Sequence, residues 1–559
     1  MSGPTGRARR LWPVLTVLAL LPVALAWPLP AVFRTHVLAA PDQEAAPHIW
    51  GLWAAAHTGS MLPIHTDLQA FPTGVELVLV DPFNVPAFHL GALWGPAAAY
   101  NFVLWCGLVL MGIAGALLAL EWRASAWVGA VAAMACPTLL ANAADGMTEG
   151  FGVGVVGIFA ALLLRARRTG QRSAWVGAGL ALGLTPWTGP YNAVWAALIG
   201  LGIAGSIASR GEWPTLRRTA FVGLGGILLG LPVGWSIFRS RDEALPGGGA
   251  RSGLPEVMEH PEIYRGGVQT GADLIDPFLP VQLTGAEASV SHTAYQGVVL
   301  LGCAAVIAVR HPPARRWMAG ALGFVALSFG PWLYWKGEVL QVGGAHLAGP
   351  AGIAMLAVPV FGRLTRWYRA GAVAGLMLAP LAARIARTPL QRGLFAAALV
   401  GDVLFCAPMA WPLHHSPLPE LAVLDDLEPT GALLELPPLT SGQPPPGGWR
   451  DLSALAQVMH KKPVGGSMMG LGISDAARVA TDSVRELMRS GTLSREDQAS
   501  TRAAGFRYLV VHTGHHPVPK QARVHLSRCL GAPVAEAPFL IVYDFGEGIE
   551  PLGCSPTRP

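Results

Sequence analysis

Charged residues are scarce in this chain of 559 residues: Asp, Glu, Lys and Arg together make up only 13%. Hydrophobic residues make up 52%, and the mean hydropathy is +0.44. Because a soluble domain carries about 25% charged residues, this composition excludes an ordinary soluble protein. The 68 glycines and 47 prolines fall inside apolar segments, which excludes a disordered low-complexity chain. The composition therefore predicts a polytopic α-helical membrane protein.

Several motifs that are typical of soluble nucleotide-binding and zinc-binding proteins are missing from the sequence. It has no glycine-rich phosphate loop with its lysine, no zinc-finger spacing and no kinase signature. The stretch GFGVG at 150–154 lies in an apolar segment, where helix packing explains its glycines better. The net charge of +5 comes from short basic clusters between apolar segments, so it indicates membrane topology rather than nucleic-acid binding.

Apolar segments near the roughly 20 residues that a bilayer requires define the predicted spans. About eleven are expected, centred on 11–32, 97–120, 125–141, 151–164, 174–187, 190–208, 219–237, 295–309, 317–335, 367–383 and 393–411. With the arginine-rich N-terminus in the cytoplasm, the arginine clusters between spans also fall inside, as the positive-inside rule requires. This topology places four regions on the outer face: 33–96, 238–294, 336–366 and the tail from 412 onward.

The N-terminal segment has a second interpretation. The basic RARR, an apolar run and the small residues ALA at 24–26 resemble a cleavable signal peptide. The apolar sequence continues from Trp27 to Val32, which favours an uncleaved first span. Cleavage stays open as the alternative, and it would leave the following loop on the same side of the membrane.

The tail has a mixed composition that predicts a small extracytoplasmic α/β domain at 412–559, after a transmembrane domain at 1–411. Strand patterns occur at 431–437 (GALLELP), 506–512 (FRYLVVH) and 539–545 (FLIVYDF), and amphipathic helix patterns at 477–491 and 494–505. Cys529 and Cys554 flank the last strand, and an oxidising compartment would permit a disulfide between them. Two free thiols are the alternative.

Asp42 and Glu44 bring two carboxylates into the loop that follows the first span. This loop of roughly 60 residues is too long for a connector, so we expect it to fold on the membrane surface. HIWGLW at 48–53 suits an interfacial helix because indole rings favour the headgroup layer. The two acids are either solvated surface carboxylates or functional groups.

The acidic motif at Asp42 and Glu44, followed by a helix with His48 and Trp50, resembles the first outer loop of the GT-C superfamily. These are polytopic glycosyltransferases that use lipid-phosphate-linked sugars. Further stretches resemble one bacterial branch of it, in the same order along most of the chain. They are FPTGVELVLVDPFNVPAFHLGALWGPAAAYNFVLW, NAADGMTEG, GADLIDPFLPVQL with SHTAYQGVVLL, GRLTRWYRAG, and GALLELPP with KKPVGGSMMG.

The resemblance implies that an acceptor hydroxyl attacks the anomeric carbon of a sugar while a lipid phosphate leaves. Such a reaction needs a base for the hydroxyl and cations for the phosphate. Asp42 matches the acidic motif and is the predicted base; Glu44 is predicted to share this role or to bind a divalent metal such as Mg²⁺ or Mn²⁺. The second acid is Glu, spaced by Gln43, and this departure leaves a noncatalytic relative as an alternative.

Arg363, Arg366 and Arg369 recur every three residues in GRLTRWYRAG, so on a helix they would line one face. They lie on the predicted outer side, where the positive-inside rule expects few arginines. Planar guanidinium groups suit phosphate oxygens, and the departing charge is where catalysis gains most. We therefore predict that these arginines bind the lipid phosphate, with lipid headgroup binding or a misplaced span as alternatives.

Other acidic and histidine side chains are candidates for lining the same cavity. They are His48, Asp145, Glu149, Asp273 and Asp276. For the four acids a helix cap or a solvated turn is the alternative explanation. Asp402 lies inside the last predicted span, where a charge costs about 2.5–3.5 kcal/mol on insertion scales, so we expect it to face the bundle interior or a cavity.

The sequence thus predicts an integral membrane glycosyltransferase that moves a hexose or pentose from a polyprenyl-phosphate donor to a cell-envelope acceptor such as a glycan. It would act on the outer face of a bacterial cytoplasmic membrane, with the N-terminus inside and the C-terminal domain outside. One alternative is a transporter or flippase of lipid-linked glycan, which predicts internal repeats that the sequence does not show convincingly. The other is a noncatalytic GT-C-like envelope protein.

Overall fold

The structure, a computed structural model, describes residues 4–62, 64–77, 81–239, 271–280, 293–358, 361, 364, 366–418, 422–424, 427–428, 430–436, 452–466, 473–513, 518–538 and 540–546. Its α-helices are α1 (Pro4–Leu25), α2 (Leu29–Val32), α3 (Ala45–Thr58), α4 (Val85–Gly91), α5 (Pro96–Glu121), α6 (Ala126–Met134), α7 (Pro137–Ala144), α8 (Val153–Thr169), α9 (Arg172–Leu184), α10 (Pro190–Ala208), α11 (Trp213–Arg239), α12 (Val298–Arg310), α13 (Pro312–Ser328), α14 (Pro350–Ala357), α15 (Ala370–Ala383), α16 (Pro389–Cys406), α17 (Leu452–His460), α18 (Asp475–Ser490), α19 (Arg495–Ala503) and α20 (Lys520–Leu530).

The strands are short except in the C-terminal part of the chain. They are β1 (His36–Val37), β2 (Ile64–Thr66), β3 (Val75–Leu77), β4 (Tyr334–Trp335), β5 (Glu338–Val339), β6 (Gln341–Val342), β7 (Ala345–His346), β8 (Ser416–Pro417), β9 (Ala432–Leu436), β10 (Phe506–Val511), β11 (Ala535–Ala537) and β12 (Leu540–Asp544). Short 3₁₀ helices lie at Pro82–Asn84, Ala92–Trp94, Glu149–Gly152, Pro186–Thr188, Trp367–Arg369 and Ala422–Leu424.

The chain divides into two compact units. The first comprises 1–39, 80–234 and 252–415, and the second comprises 40–79, 235–251 and 416–559. The predicted boundary after residue 411 kept the whole first outer loop with the transmembrane domain, whereas the structure assigns 40–79 to the second unit. The reason is bonding within that unit: the Trp50 indole donates to Gln457 Oε1 at 2.6 Å, and the Val464 amide donates to the Leu68 carbonyl at 2.9 Å.

Helices α5 and α15 form the centre of the first unit. Helix α15 is apolar all round, and every one of its residues is buried, as expected for a helix surrounded by others. Helix α5 packs against α6 and α8. A Cβ atom at Gly115 would lie 2.2 Å from the Gly129 carbonyl oxygen, so the close contact of α5 with α6 requires glycine.

Among the described residues, five helices are long and apolar enough to cross a membrane: Pro96–Glu121, Glu149–Thr169, Pro190–Ala208, Trp213–Ser236 and Pro389–Cys406. A sixth span results if α6 and α7, which are bent by 47° at their junction, are counted together. These helices make the chain a multi-pass membrane protein. The larger number of about eleven spans stays a prediction from segment length.

Asp402 faces the interior, as its position in an apolar span predicts. Its side chain accepts a hydrogen bond from the Tyr295 hydroxyl at 2.8 Å and another from the Val299 amide at 2.9 Å. Because Val299 lies in the first turn of α12, the carboxylate satisfies an amide that has no partner within its own helix. Asp402 therefore ties the start of α12 to α16.

The second unit contains a four-stranded sheet in the order β11-β12-β10-β9. Strands β9 and β10 are parallel, while β12 is antiparallel to both β10 and β11. The three longer strands coincide with the strand patterns in the sequence. Helix α18 packs on the core through residues spaced by three or four positions: Ala477, Ala480, Val484 and Leu487.

Five of the six cysteines lie in the described part of the chain. Cys529 in α20 is disulfide-bonded. Its predicted partner, Cys554, lies outside the described residues, so the particular pairing stays a prediction. The thiols of Cys106, Cys136, Cys303 and Cys406 are free.

Candidate active site

The structure distributes the predicted site residues between the two units. Asp42 is exposed in the turn before α3, Glu44 directly precedes that helix, and His48 is half-buried on it; all three belong to the second unit. The first unit holds the other candidates, Asp145, Glu149, Arg366, Arg369, Asp273 and Asp276. Arg363 lies outside the described residues.

Arg369 and Glu149 form a buried ion pair in the first unit. Arg369 Nη2 lies 2.5 Å from Glu149 Oε1, and the two side chains are only 8% and 6% exposed. Arg369 ends the 3₁₀ helix Trp367–Arg369 and directly precedes the buried helix α15, which fixes its backbone. Its guanidinium carbon also lies 5.0 Å from the centre of the Tyr191 ring, within the range of a cation–π contact.

Two guanidinium groups converge on the sulfur of Met147. Arg366 Nη1 lies 3.5 Å from Met147 Sδ, and Arg369 Nη2 lies 3.1 Å from it. A thioether is a weak acceptor for such donors. In the described part of the chain, Arg369 Nε is buried without a hydrogen-bond partner. A buried guanidinium N–H without such a partner suits an anion with strong acceptor oxygens.

The backbone at Glu149 is fixed by Asn192. The Asn192 amide donates to the carbonyl of Glu149 at 3.3 Å and to that of Thr188 at 3.0 Å. Gly152 makes this approach possible, because a Cβ atom there would lie 2.3 Å from Asn192 Nδ2. The hydrogen bond from Asn192 therefore holds the 3₁₀ helix Glu149–Gly152 in contact with the start of α10.

Asp81 is a buried carboxylate that was not among the predicted site residues. It is 1% exposed, and its Oδ2 accepts hydrogen bonds from Thr148 Oγ1 and from Asn84 Nδ2, the latter at 3.0 Å. Thr148 directly precedes Glu149. The fully buried Tyr100 lies within electrostatic range of Asp81, Asp145 and Glu149.

These contacts and electrostatic interactions join five charged side chains of the first unit, of which four are buried and Arg366 is half-buried. We call this group the acid–arginine cluster, and its members are Asp81, Asp145, Glu149, Arg366 and Arg369. The cluster combines carboxylates that can accept a proton with guanidinium groups that can bind an anion. It therefore contains the two kinds of group that displacement of a phosphate by a hydroxyl requires.

Asp273 and Asp276 occupy a loop next to this cluster, since Ala272 packs with Met147 and Tyr368. Asp273 accepts hydrogen bonds from the Gly337 amide at 2.9 Å and the Ile275 amide at 3.2 Å. Asp276 accepts one from the Asp273 amide at 3.2 Å. These bonds to backbone amides build the loop, as the turn alternative for these residues predicts.

The buried Asp276 predicts how the stability of the folded chain depends on pH. Burial raises its pKa from 3.8 to about 7, and the charge of Asp273 acts in the same direction. The folded chain therefore holds this proton more tightly than the unfolded chain, so stability falls as pH rises from about 4 to about 7. Asp276→Asn should remove this part of the pH dependence and raise the melting temperature relative to the native chain at about pH 8. Thermal unfolding at several pH values tests this, with the exposed Asp482→Asn as control.

A cavity of about 10 Å³ lies within the site, lined by Asn142, Glu149, Tyr191, Asn192, Trp195 and Arg369 among others. This volume holds about one water molecule and no sugar. In the described ranges, no three His, Cys, Asp or Glu side chains are arranged to hold a metal ion. The divalent metal therefore stays a prediction from the acidic motif.

Comparison with protein-family models and with curated proteins finds no match. Among solved structures, the chain is similar to the arabinofuranosyltransferase AftD from Mycobacteria, with a TM-score of 0.54 and 17% identity over 96% of this chain. The chain covers 40% of the length of that protein. It is also similar to ArnT from Cupriavidus metallidurans, with a TM-score of 0.43 and 15% identity, covering 98% of this chain and 99% of that one.

The similarity to AftD concerns the arrangement of the chain, because the sequence identity is low. It extends over 96% of this chain. The chain therefore shares the fold of this arabinofuranosyltransferase, in agreement with the fold that the sequence motifs predicted.

Proposed function

We propose that the chain is an integral membrane glycosyltransferase that transfers a sugar from a polyprenyl-phosphate donor to an acceptor of the cell envelope. The observation that carries this proposal is the acid–arginine cluster, buried in a chain with the GT-C fold. The buried guanidinium group of Arg369 and the half-buried one of Arg366, beside carboxylates, match a reaction that releases a phosphate and takes up a hydroxyl proton. The sugar is a hexose or a pentose, and a pentose is the sugar that the similar AftD transfers according to its name.

In the proposed reaction the acceptor hydroxyl oxygen forms a bond to the anomeric carbon, and its proton passes to a carboxylate. The bond between the anomeric carbon and the phosphate oxygen breaks, and its electron pair leaves with the lipid phosphate. Arg366 and Arg369 would hold the phosphate and stabilise the charge that it gains. The lipid phosphate leaves as an anion, so the reaction needs no acid for the leaving group.

Asp81 is the carboxylate that we propose as the base. The hydrogen bonds from Asn84 and Thr148 orient it, and Thr148 directly precedes Glu149 in the chain. Asp42 is the second candidate for the same role, with Glu44 beside it, because these residues match the acidic motif. Asp42 is exposed and has no comparable set of described hydrogen bonds that would fix its side chain.

The proposed location is the outer face of a bacterial cytoplasmic membrane, with a cytoplasmic N-terminus and the C-terminal domain outside. The arginine clusters between spans support this orientation through the positive-inside rule. The proposed partners are membrane lipid, the polyprenyl-phosphate sugar and an envelope glycan. On this topology GRLTRWYRAG is at the outer side, where a donor phosphate in that leaflet could reach Arg366 and Arg369.

The test is sugar transfer by the purified chain in detergent, with a bacterial lipid extract as donor pool and mass spectrometry of the acceptors. We expect acceptors that gain the mass of a hexose or a pentose. Detergent removes the two membrane compartments, so a flippase would leave all masses unchanged. Movement of lipid-linked glycan between leaflets of a reconstituted vesicle, without any mass change, would overturn the proposal in favour of the flippase.

A further inference from the structure

The Glu149 carboxylate occupies the guanidinium group that the proposed reaction needs for phosphate. Glu149 Oε1 lies 2.5 Å from Arg369 Nη2, and both side chains are buried. The adjoining cavity of about 10 Å³ leaves no room for a phosphate group beside the carboxylate. A phosphate oxygen that binds Arg369 Nη2 in this position must therefore displace Glu149 Oε1.

Electrostatic repulsion also favours exchange of the Glu149 carboxylate for the donor phosphate at Arg369. A carboxylate and a phosphate that share one guanidinium group repel each other, and this repulsion is strong where water is excluded. Without the lipid, Arg369 needs a counterion, because a buried cation without a partner is strongly destabilising. Glu149 supplies that counterion in the structure.

We infer that Glu149 is a resident counterion that the donor phosphate displaces from Arg369 and that returns when the lipid phosphate product leaves. This inference rests on the proposed function, since it assumes that Arg369 binds a lipid phosphate. Competition by Glu149 weakens the binding of donor and product alike, and it speeds the release of the product. Glu149 is thus a positioning residue for Arg369 and sets the affinity for lipid phosphate.

The test measures binding of undecaprenyl phosphate to the purified chain by native mass spectrometry in detergent. Glu149→Gln keeps the size of the side chain and an oxygen that can accept from Arg369, but it removes the competing charge. We expect this variant to bind undecaprenyl phosphate about tenfold tighter than the native chain. A residue that only holds Arg369 in place would give weaker binding, and unchanged or weaker binding overturns the inference.

The chain offers a matched control in Glu121. This carboxylate is 7% exposed and pairs with Arg168 at 2.8 Å, in the same unit but outside the acid–arginine cluster. Glu121→Gln should leave the affinity for undecaprenyl phosphate unchanged. An equal increase in affinity for both variants would mean a general charge effect and would overturn the inference.

Thermal unfolding gives a second readout in case Glu149→Gln destabilises the fold. The variant should melt at a lower temperature than the native chain without lipid, and saturating undecaprenyl phosphate should remove most of the difference, because the phosphate replaces the lost counterion. A purely structural role predicts the same difference with and without the lipid.

Arg369→Gln distinguishes failure of the inference from failure of the proposed function. If Arg369→Gln weakens lipid phosphate binding while Glu149→Gln does not strengthen it, only the counterion exchange is wrong. If neither substitution changes the affinity, the phosphate site itself is wrong, and the proposed function loses the observation that carries it.

Discussion

Asp81→Asn should lower kcat for sugar transfer by about 10²–10⁴-fold, the usual contribution of a general base. The reason is that the amide cannot take the proton of the acceptor hydroxyl. Structure should be preserved, because the hydrogen bonds from Thr148 and Asn84 both end on one oxygen, Oδ2, and an amide oxygen can accept both. We expect KM for the donor to change little, since Asp81 has no part in binding the phosphate.

The measurement compares the initial rates of Asp81→Asn and Asp42→Asn, after thermal unfolding has established that both variants fold like the native chain. Asp42 is exposed, so its substitution should leave the rate within about twofold, as is usual for surface positions away from a site. The opposite result, loss of transfer in Asp42→Asn and retention in Asp81→Asn, would assign the base to Asp42 as the acidic motif implies.

Features of the chain that depend on local sequence were predictable. Apolar segments and the scarcity of charge indicated a multi-pass membrane protein, and strands β9, β10 and β12 lie where alternating or continuous apolar residues predicted them. Asp402 faces the interior because a charge in an apolar span has few other stable positions. Each of these predictions depends only on residues that are close in sequence and on one free-energy cost. That cost is placing apolar groups in water or a charged group in an apolar environment.

Asp81 could not be singled out in this way. It belongs to the stretch VDPFN, and an acidic residue before proline with a following asparagine is typical of a solvated turn. Its side chain is buried and accepts a hydrogen bond from Thr148, which is 67 residues away along the chain. The only local signal was an acid at the end of an apolar run in an outer loop, and Asp42 and Glu44 have a similar setting.

Local spacing accounts for only part of how the arginines meet. Spacing by three residues predicted one face of a helix, and the Arg369 amide donates to the Arg366 carbonyl at 3.3 Å across the 3₁₀ turn Trp367–Arg369. Their guanidinium groups meet because both approach Met147, and Arg369 pairs with Glu149 on a distant segment. Contacts of this kind join side chains of distant segments and depend on how the helices pack. The periodicity of a single sequence does not predict that packing.

Replacing both members of the buried pair, Arg369→Gln with Glu149→Gln, should lower kcat/KM by about 10²–10³-fold while the chain stays folded. The loss follows because a group that stabilises developing charge in a buried site contributes about this much. Arg369→Gln alone is a poorer test of catalysis, since it leaves Glu149 buried without a cation at a cost of about 3–5 kcal/mol. The double substitution removes both charges and keeps polar side chains of similar size.

The matched control is the double variant Arg168→Gln with Glu121→Gln, which removes a Glu–Arg pair of the first unit outside the cluster. It should retain transfer within about twofold, because this pair lies outside the acid–arginine cluster. Initial rates at several donor concentrations separate kcat from KM, and circular dichroism checks the fold. Since Arg369 would bind phosphate in the ground state and more strongly as the phosphate departs, we expect KM to rise and kcat to fall. Full activity in the Arg369 and Glu149 double variant, with a normal fold, would exclude Arg369 from the phosphate site.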